Sequence, residues 1–169
     1  LLTSHLAKTR RDLRILYLVF DFISESNWVS DLARSSQMVF VGVKGVKTML
    51  YTLVEDAKPS EEYFFFSMKR PEFDKSVVDI YLPFRKFRES KKVKVKGIHR
   101  ADMKGLVEPV KFTEDRFLDF PLPPNMAIFR DKVAITSWGE IPTGILIISK
   151  DITEQYKELF KELWKLAKS

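Results

Sequence analysis

Four aromatic residues in a row, Tyr63-Phe64-Phe65-Phe66, constrain this chain more than any other feature. Successive side chains of a strand point to opposite faces, so this run is a strand with aromatic rings on both faces and must be covered from both sides. The surroundings supply the cover. Met38 to Val41 is a short apolar run ended by Gly42. Val46, Met49, Leu50, Leu53, Val54 and Ala57 then fall at helical spacing, and Pro59 stops the helix. Asp74 to Glu89 is helix-like, and Pro83 predicts either a kink or a second helix starting there. Val93 to Ile98 alternates as a strand with its first half in the core. Val110 to Phe112 and Arg116 to Leu118 are shorter strand candidates.

The last third has sharper local signals. Asn125 to Phe129 and Val133 to Trp138, joined at Arg130-Asp131-Lys132, predict a hairpin. Gly144 to Ile148 is a further strand. Asp151 with Glu154 three residues on reads as a capping box for a closing helix. Its expected buried stripe is Ile152, Tyr156, Leu159, Phe160, Leu163 and Trp164, and its wet side pairs Glu154–Lys157, Glu158–Lys161 and Glu162–Lys165. The fold class is α/β, a mixed sheet with helices on its faces.

The first 36 residues differ from the rest. Leu6, Leu13, Leu16, Phe20 and Ile23 lie on a seam of alternating three- and four-residue steps, the spacing that meets a partner helix. Ile15, Leu18, Val19 and Phe22 on other faces equally suit a helix packed on its own core. Asn27 to Gln37 is polar and loop-like. We therefore divide the chain into a helix or linker, 1–36, and a domain, 37–169. The chain begins at Leu1 without a methionine, so a further N-terminal part is expected.

Composition excludes several chemistries. Cysteine is absent, which removes disulfides, iron–sulfur and thiolate zinc sites, and a cysteine nucleophile. There is no Gly-rich phosphate loop and no Gly-x-Ser-x-Gly elbow. No cofactor and no metal site is expected, and no membrane span: Leu13 to Ile23 is too short and is broken by Arg14 and Asp21. Abundant Lys and Glu with no Cys fits a heat-adapted source.

The net charge of +6 is concentrated, with 11 basic against 6 acidic residues between 71 and 111. Arg85, Lys86, Arg88, Lys91, Lys92, Lys94, Lys96 and Arg100 make up its densest part. Such a block is either a solvated face or a nucleic-acid-binding surface. His99, beside Arg100 and Asp102 at a strand end, is the one histidine placed to act as a base, or to be held by a hydrogen bond.

Several segments in order resemble archaeal TrmB-type transcriptional regulators. They are Val43 to Leu50, Glu61 to Phe66, Lys94 to Ile98, Arg116 to Leu118, Arg130 to Ile135, Gly144 to Ile147, and the closing Phe160-Lys161-Glu162-Leu163-Trp164-Lys165-Leu166-Ala167. The resemblance spans about residues 39 to 168. It implies a C-terminal effector domain with a phospholipase-D-like fold, a linker-type helix before it, and a homodimer. It also implies DNA contact through a separate N-terminal domain, a possible small-molecule effector, and a cytoplasmic location. Active phospholipase-D-like enzymes carry His-x-Lys-x4-Asp and a later Gly-Ser. Aligned on Asp131-Lys132-Val133, the histidine place holds Pro123, the lysine place Asn125, the aspartate place Arg130 and the Gly-Ser place Ser137-Trp138. No histidine follows Arg100. The resemblance therefore implies a domain without that catalysis, with a ligand cleft near Asn125, Trp138, Glu140 and His99.

If the seam pairs subunits, light scattering will find a dimer, and Leu13→Lys or Leu16→Lys will shift it toward monomer. A monomer at high micromolar concentration would assign the helix to the domain's own core.

Overall fold

A computed structural model describes residues 35–67, 75–123 and 125–169. The seam residues Leu6, Leu13, Leu16, Phe20 and Ile23 lie outside the described residues. The elements are β1 (Ser35–Val41), α1 (Gly42–Val54), β2 (Glu62–Ser67), α2 (Lys75–Ser90), β3 (Lys94–Arg100), a 3-10 turn (Ala101–Met103), β4 (Thr113–Leu118), β5 (Met126–Phe129), β6 (Lys132–Ser137), β7 (Thr143–Ser149) and α3 (Lys150–Leu166). The strands form one mixed sheet in the order β1-β7-β6-β5-β2-β3-β4. β2, β3 and β4 run parallel, whereas β5, β6 and β7 pair antiparallel from β2 outward.

The aromatic strand divides its rings between two cores, as its period of two requires. Tyr63 and Phe65 join α1 and α2 through Leu50, Leu53, Ile80 and Phe84. Phe64 and Phe66 join α3 through Phe160 and Leu163. The neighbouring strands alternate in step, with Ala127 and Phe129 of β5 on the first face and Met126 and Ile128 on the second. Every buried position of α1 comes from the predicted stripe. Gly144 of β7 leaves room for Met49, whose sulfur would lie 2.5 Å from a Cβ there.

Four local expectations are corrected. Pro83 sits inside one continuous helix, α2, with its ring exposed, so no second helix begins there. Val110 to Phe112 is not a strand, because Phe112 takes a left-handed φ of 63° and β4 starts after it. α3 begins at Lys150 with Ser149 as N-cap and no side-chain capping bond. Asp151 therefore lies inside the first turn, and Glu154 bonds Lys157 (2.9 Å) rather than completing a box. Ile152 and Leu159 stay exposed, because the covered face of α3 runs through Thr153, Tyr156, Phe160, Leu163 and Ala167.

The open edge at β4 is covered by the end of the chain. Phe117 and Lys168 exchange two backbone hydrogen bonds (2.7 and 2.9 Å), and the Arg116 guanidinium lies 4.3 Å over the Trp164 ring. Covering an edge in this way removes a template for aggregation. At the other end of β5, Arg130 in the hairpin turn clamps the α1–β2 loop. Its guanidinium donates to both oxygens of Glu61 (3.0 and 2.8 Å) and also bonds the Asp56 carboxylate and carbonyl.

That hydrogen bond from Arg130 holds the Glu61 carboxyl below its ordinary value, against the opposing push of partial burial. A carboxyl lowered in the folded state adds stability above the unfolded value, and the contribution is lost as pH falls through the folded value. Glu61→Gln will therefore lower stability at pH 7, by about 1 kcal/mol for a partly exposed pair. It will also flatten the loss of stability between about pH 5 and 3. Urea titrations across that range will show parallel acid limbs if the pair contributes nothing.

Candidate functional site

The carboxyl ends of parallel strands are where open α/β sheets present ligand crevices, and β2 and β3 end together at Ser67 and His99. β5 begins beside them, with Met126 opposite Phe66. On the face covered by α1 and α2, a cavity of about 430 Å³ opens at this point, a size usual for small-molecule sites. Apolar residues of α2 (Val78, Leu82) and of the β3–β4 connection (Met103, Leu106, Val107) wall it. Polar groups enter from Ser67, Thr113, Asn125 and Thr136.

His99 and Asp115 form its floor. Gly97 stands between them in the register, opposite Phe65 on one side and Asp115 on the other. A Cβ at Gly97 would collide with the Phe65 ring and lie 2.6 Å from Asp115 Oδ1, so only glycine lets both side chains close over the strand. His99, 6% exposed, places Nε2 2.8 Å from Asp115 Oδ1 and takes the Phe65 ring edge-on at 5.3 Å. His99 Nδ1 and Thr113 Oγ1 are buried with no hydrogen-bond partner. Buried polar atoms of this kind call for an explanation, such as a ligand or a bound water.

Arg88 of α2 enters from the wall and is buried. Its guanidinium lies 4.7 Å from the Tyr63 ring centre and 5.7 and 6.0 Å from those of Phe84 and Phe65. Burial pushes the Tyr63 hydroxyl up to about 12, with Arg88 opposing, so it stays protonated across the physiological range. Arg85, one turn earlier, also lines the cavity.

Two of the four expected cleft residues, His99 and Asn125, line this cavity. Trp138 and Glu140 do not. Trp138 is half-buried against the α1–α2 core, 5.7 Å from Tyr81, which does line the cavity. Glu140 is exposed beyond the end of β6. Asp115 and Thr113 escaped sequence reading because the start of β4 was misplaced, which hid the diagonal pairing with His99. Phe65 was legible only as core.

The basic block disperses. Arg88 goes inward, and Arg85 lines the cavity. Lys91 bonds the Glu55 carbonyl (2.8 Å), Lys96 pairs with Glu62 (2.8 Å), and Arg100 contacts Asp102 (3.4 Å). Lys86, Lys92 and Lys94 are exposed. Arg100 sits at the other end of β3 from Lys94, roughly 20 Å away along a seven-residue strand.

Asn125, expected at the lysine place of the hydrolase motif, accepts a backbone hydrogen bond from Thr136 (2.9 Å), beside the strand end that carries Ser137. Arg130 lies at the far end of β5. Among the described residues no group of three His, Asp or Glu side chains is placed to hold a metal ion, and no helix is long and apolar enough to cross a membrane.

No protein-family model and no curated protein matches the chain. Solved structures do. NucT from Helicobacter pylori aligns with a TM-score of 0.58 at 13% identity, over 80% of this chain and 99% of that one. Nuc from Salmonella typhimurium, a phospholipase D family member, aligns at 0.54 and 13%, over 79% and 97%. TrmBL2, an archaeal chromatin protein with a novel mode of DNA binding, aligns at 0.54 and 16%, over 99% of this chain and 67% of that one. The fold is phospholipase-D-like.

An ionised carboxylate only accepts, so the proton between the pair sits on His99 Nε2. Long-range 15N–1H spectra will show Nε2 protonated at neutral pH. Asp115→Ala will abolish that preference and destabilise by about 1–3 kcal/mol through an unpaired buried imidazole. An unchanged ring spectrum would mean the pair does not hold in solution.

Proposed function

We propose that residues 37–169 are a non-catalytic effector and dimerisation domain of an archaeal TrmB-type transcription regulator, which senses a small ligand in the cavity. Residues 1–36 act as its linker and pairing helix, DNA is engaged through a separate N-terminal domain, and the protein works in the cytoplasm. The observation that carries this reading is the cavity itself, lined by Asn125, which the resemblance sets at the lysine place of phospholipase-D-like enzymes, with Pro123 at the histidine place in the sequence. The shape of a binding site persists without the nucleophile. His99 does not restore the motif, since Ala101 stands two residues on where the lysine would follow.

The ordered resemblance over residues 39 to 168, and the alignment with TrmBL2 along 99% of this chain, support the regulator assignment. Direct nucleic-acid binding through Arg85 to Arg100 has less support, because half of that block is engaged within the domain. Hydrolysis of bis(p-nitrophenyl) phosphate by the full chain is expected to stay at background. Turnover that disappears in His99→Ala would overturn the non-catalytic reading.

A further inference from the structure

The cavity holds a buried cation, Arg88, that no carboxylate among the described residues pairs with. Arg88 is 9% exposed, and its guanidinium is held among the rings of Tyr63, Phe65 and Phe84. Among the described residues neither Arg88 nor Arg85 is ion-paired with a carboxylate. A charge removed from water without a partner is unfavourable, and a guanidinium presents a fork that matches a carboxylate in two parallel bonds. A second buried group also packs against Phe65. The His99 ring is 5.3 Å from that ring centre and its Nδ1 has no partner. The rest of the lining is largely apolar.

Resting on the ligand-sensor reading, we propose that this cavity binds a small organic monocarboxylate with an apolar body, its carboxylate on Arg88 and a second polar group at His99. The charge of the lining favours one negative charge over two. Beside Arg85 and Arg88 the lining also carries Glu108 and Asp115, neither paired with those arginines, and they would repel a phosphate dianion more than a monocarboxylate held on the Arg88 fork. A neutral sugar would leave Arg88 uncompensated and waste the apolar wall. A 2-hydroxy acid with a hydrocarbon tail satisfies all three parts: a carboxylate, a hydroxyl that donates to the unprotonated His99 Nδ1, and an apolar body.

The test is calorimetric titration of the full chain with 3-phenyllactate and octanoate, alongside 3-phenyllactamide, glucose and glucose 6-phosphate. Phenyllactate is expected to bind with a Kd below about 1 mM. Its amide is expected to be at least about tenfold weaker, because the charge-assisted bonds are lost. Arg88→Gln should reproduce that loss. Since Arg88 also packs on three rings, the amide comparison on the unaltered chain stands without it. Equal binding of acid and amide would overturn the proposal, as would silence of both acids at about 10 mM. Binding of glucose or glucose 6-phosphate in place of the acids would overturn the carboxylate class while leaving the sensor reading intact. Phosphodiester turnover would sink that reading on its own.

Discussion

Everything in this domain depends on one strand being buried on both faces. β2 pairs with β3 on one side and β5 on the other, and sends Tyr63 and Phe65 into one core and Phe64 and Phe66 into the other. Each ring withdrawn from water contributes on the order of 1.5–3 kcal/mol, and contacts between rings add to it. Phe160 of α3 lies 4.8 Å from Phe64 and 5.2 Å from Phe66, while Phe84 of α2 lies 6.4 Å from Tyr63. β3, β5 and β6 also send side chains to both cores, and β2, at the centre with four aromatic rings, links the two helical layers most heavily.

The same strand ends in the cavity, which ties the site to the fold. Phe65 packs against the α1–α2 core and also contacts both Arg88 and His99. Gly97 on the next strand gives way to that ring, so the position of the histidine follows from the packing of the core. The phospholipase-D-like sheet has its crevice for the same reason. The crevice is what remains between α2, the β3–β4 connection and the start of β5 once the aromatic strand is packed. Fold alone does not assign chemistry to it; the charged and orphaned groups inside do.

What could be read from the sequence was what local spacing decides. The stripe of α1, the hairpin at Arg130-Asp131, the aromatic strand and the ion pairs of α3 all depend on neighbours within a few residues. The features that escaped depend on partners far along the chain. Arg88 reads as one more cation in a basic run until Tyr63, 25 positions earlier, is brought beneath it. Asp115 has no meaning until β4 is set in register with β3. Pro83 reads as a breaker, but tertiary packing on both sides carries α2 through it. Asn125 and His99 come together at the cavity because they sit at strand ends that meet. Trp138 turns into the core and Glu140 lies beyond the last rung of β6.

The claim that β2 couples both layers is tested most directly by native-state hydrogen exchange on the unaltered chain and on Phe160→Ala. That truncation removes a ring from the α3 side at a loss of about 3–5 kcal/mol. With β2 as the link, amides of Tyr63 to Phe66 exchange only through global unfolding, and the variant lowers protection equally in β2, α3 and the opposite helix α1. Protection in α1 that stays at its original level while α3 and β2 lose theirs would contradict the account, since the two cores would then open independently.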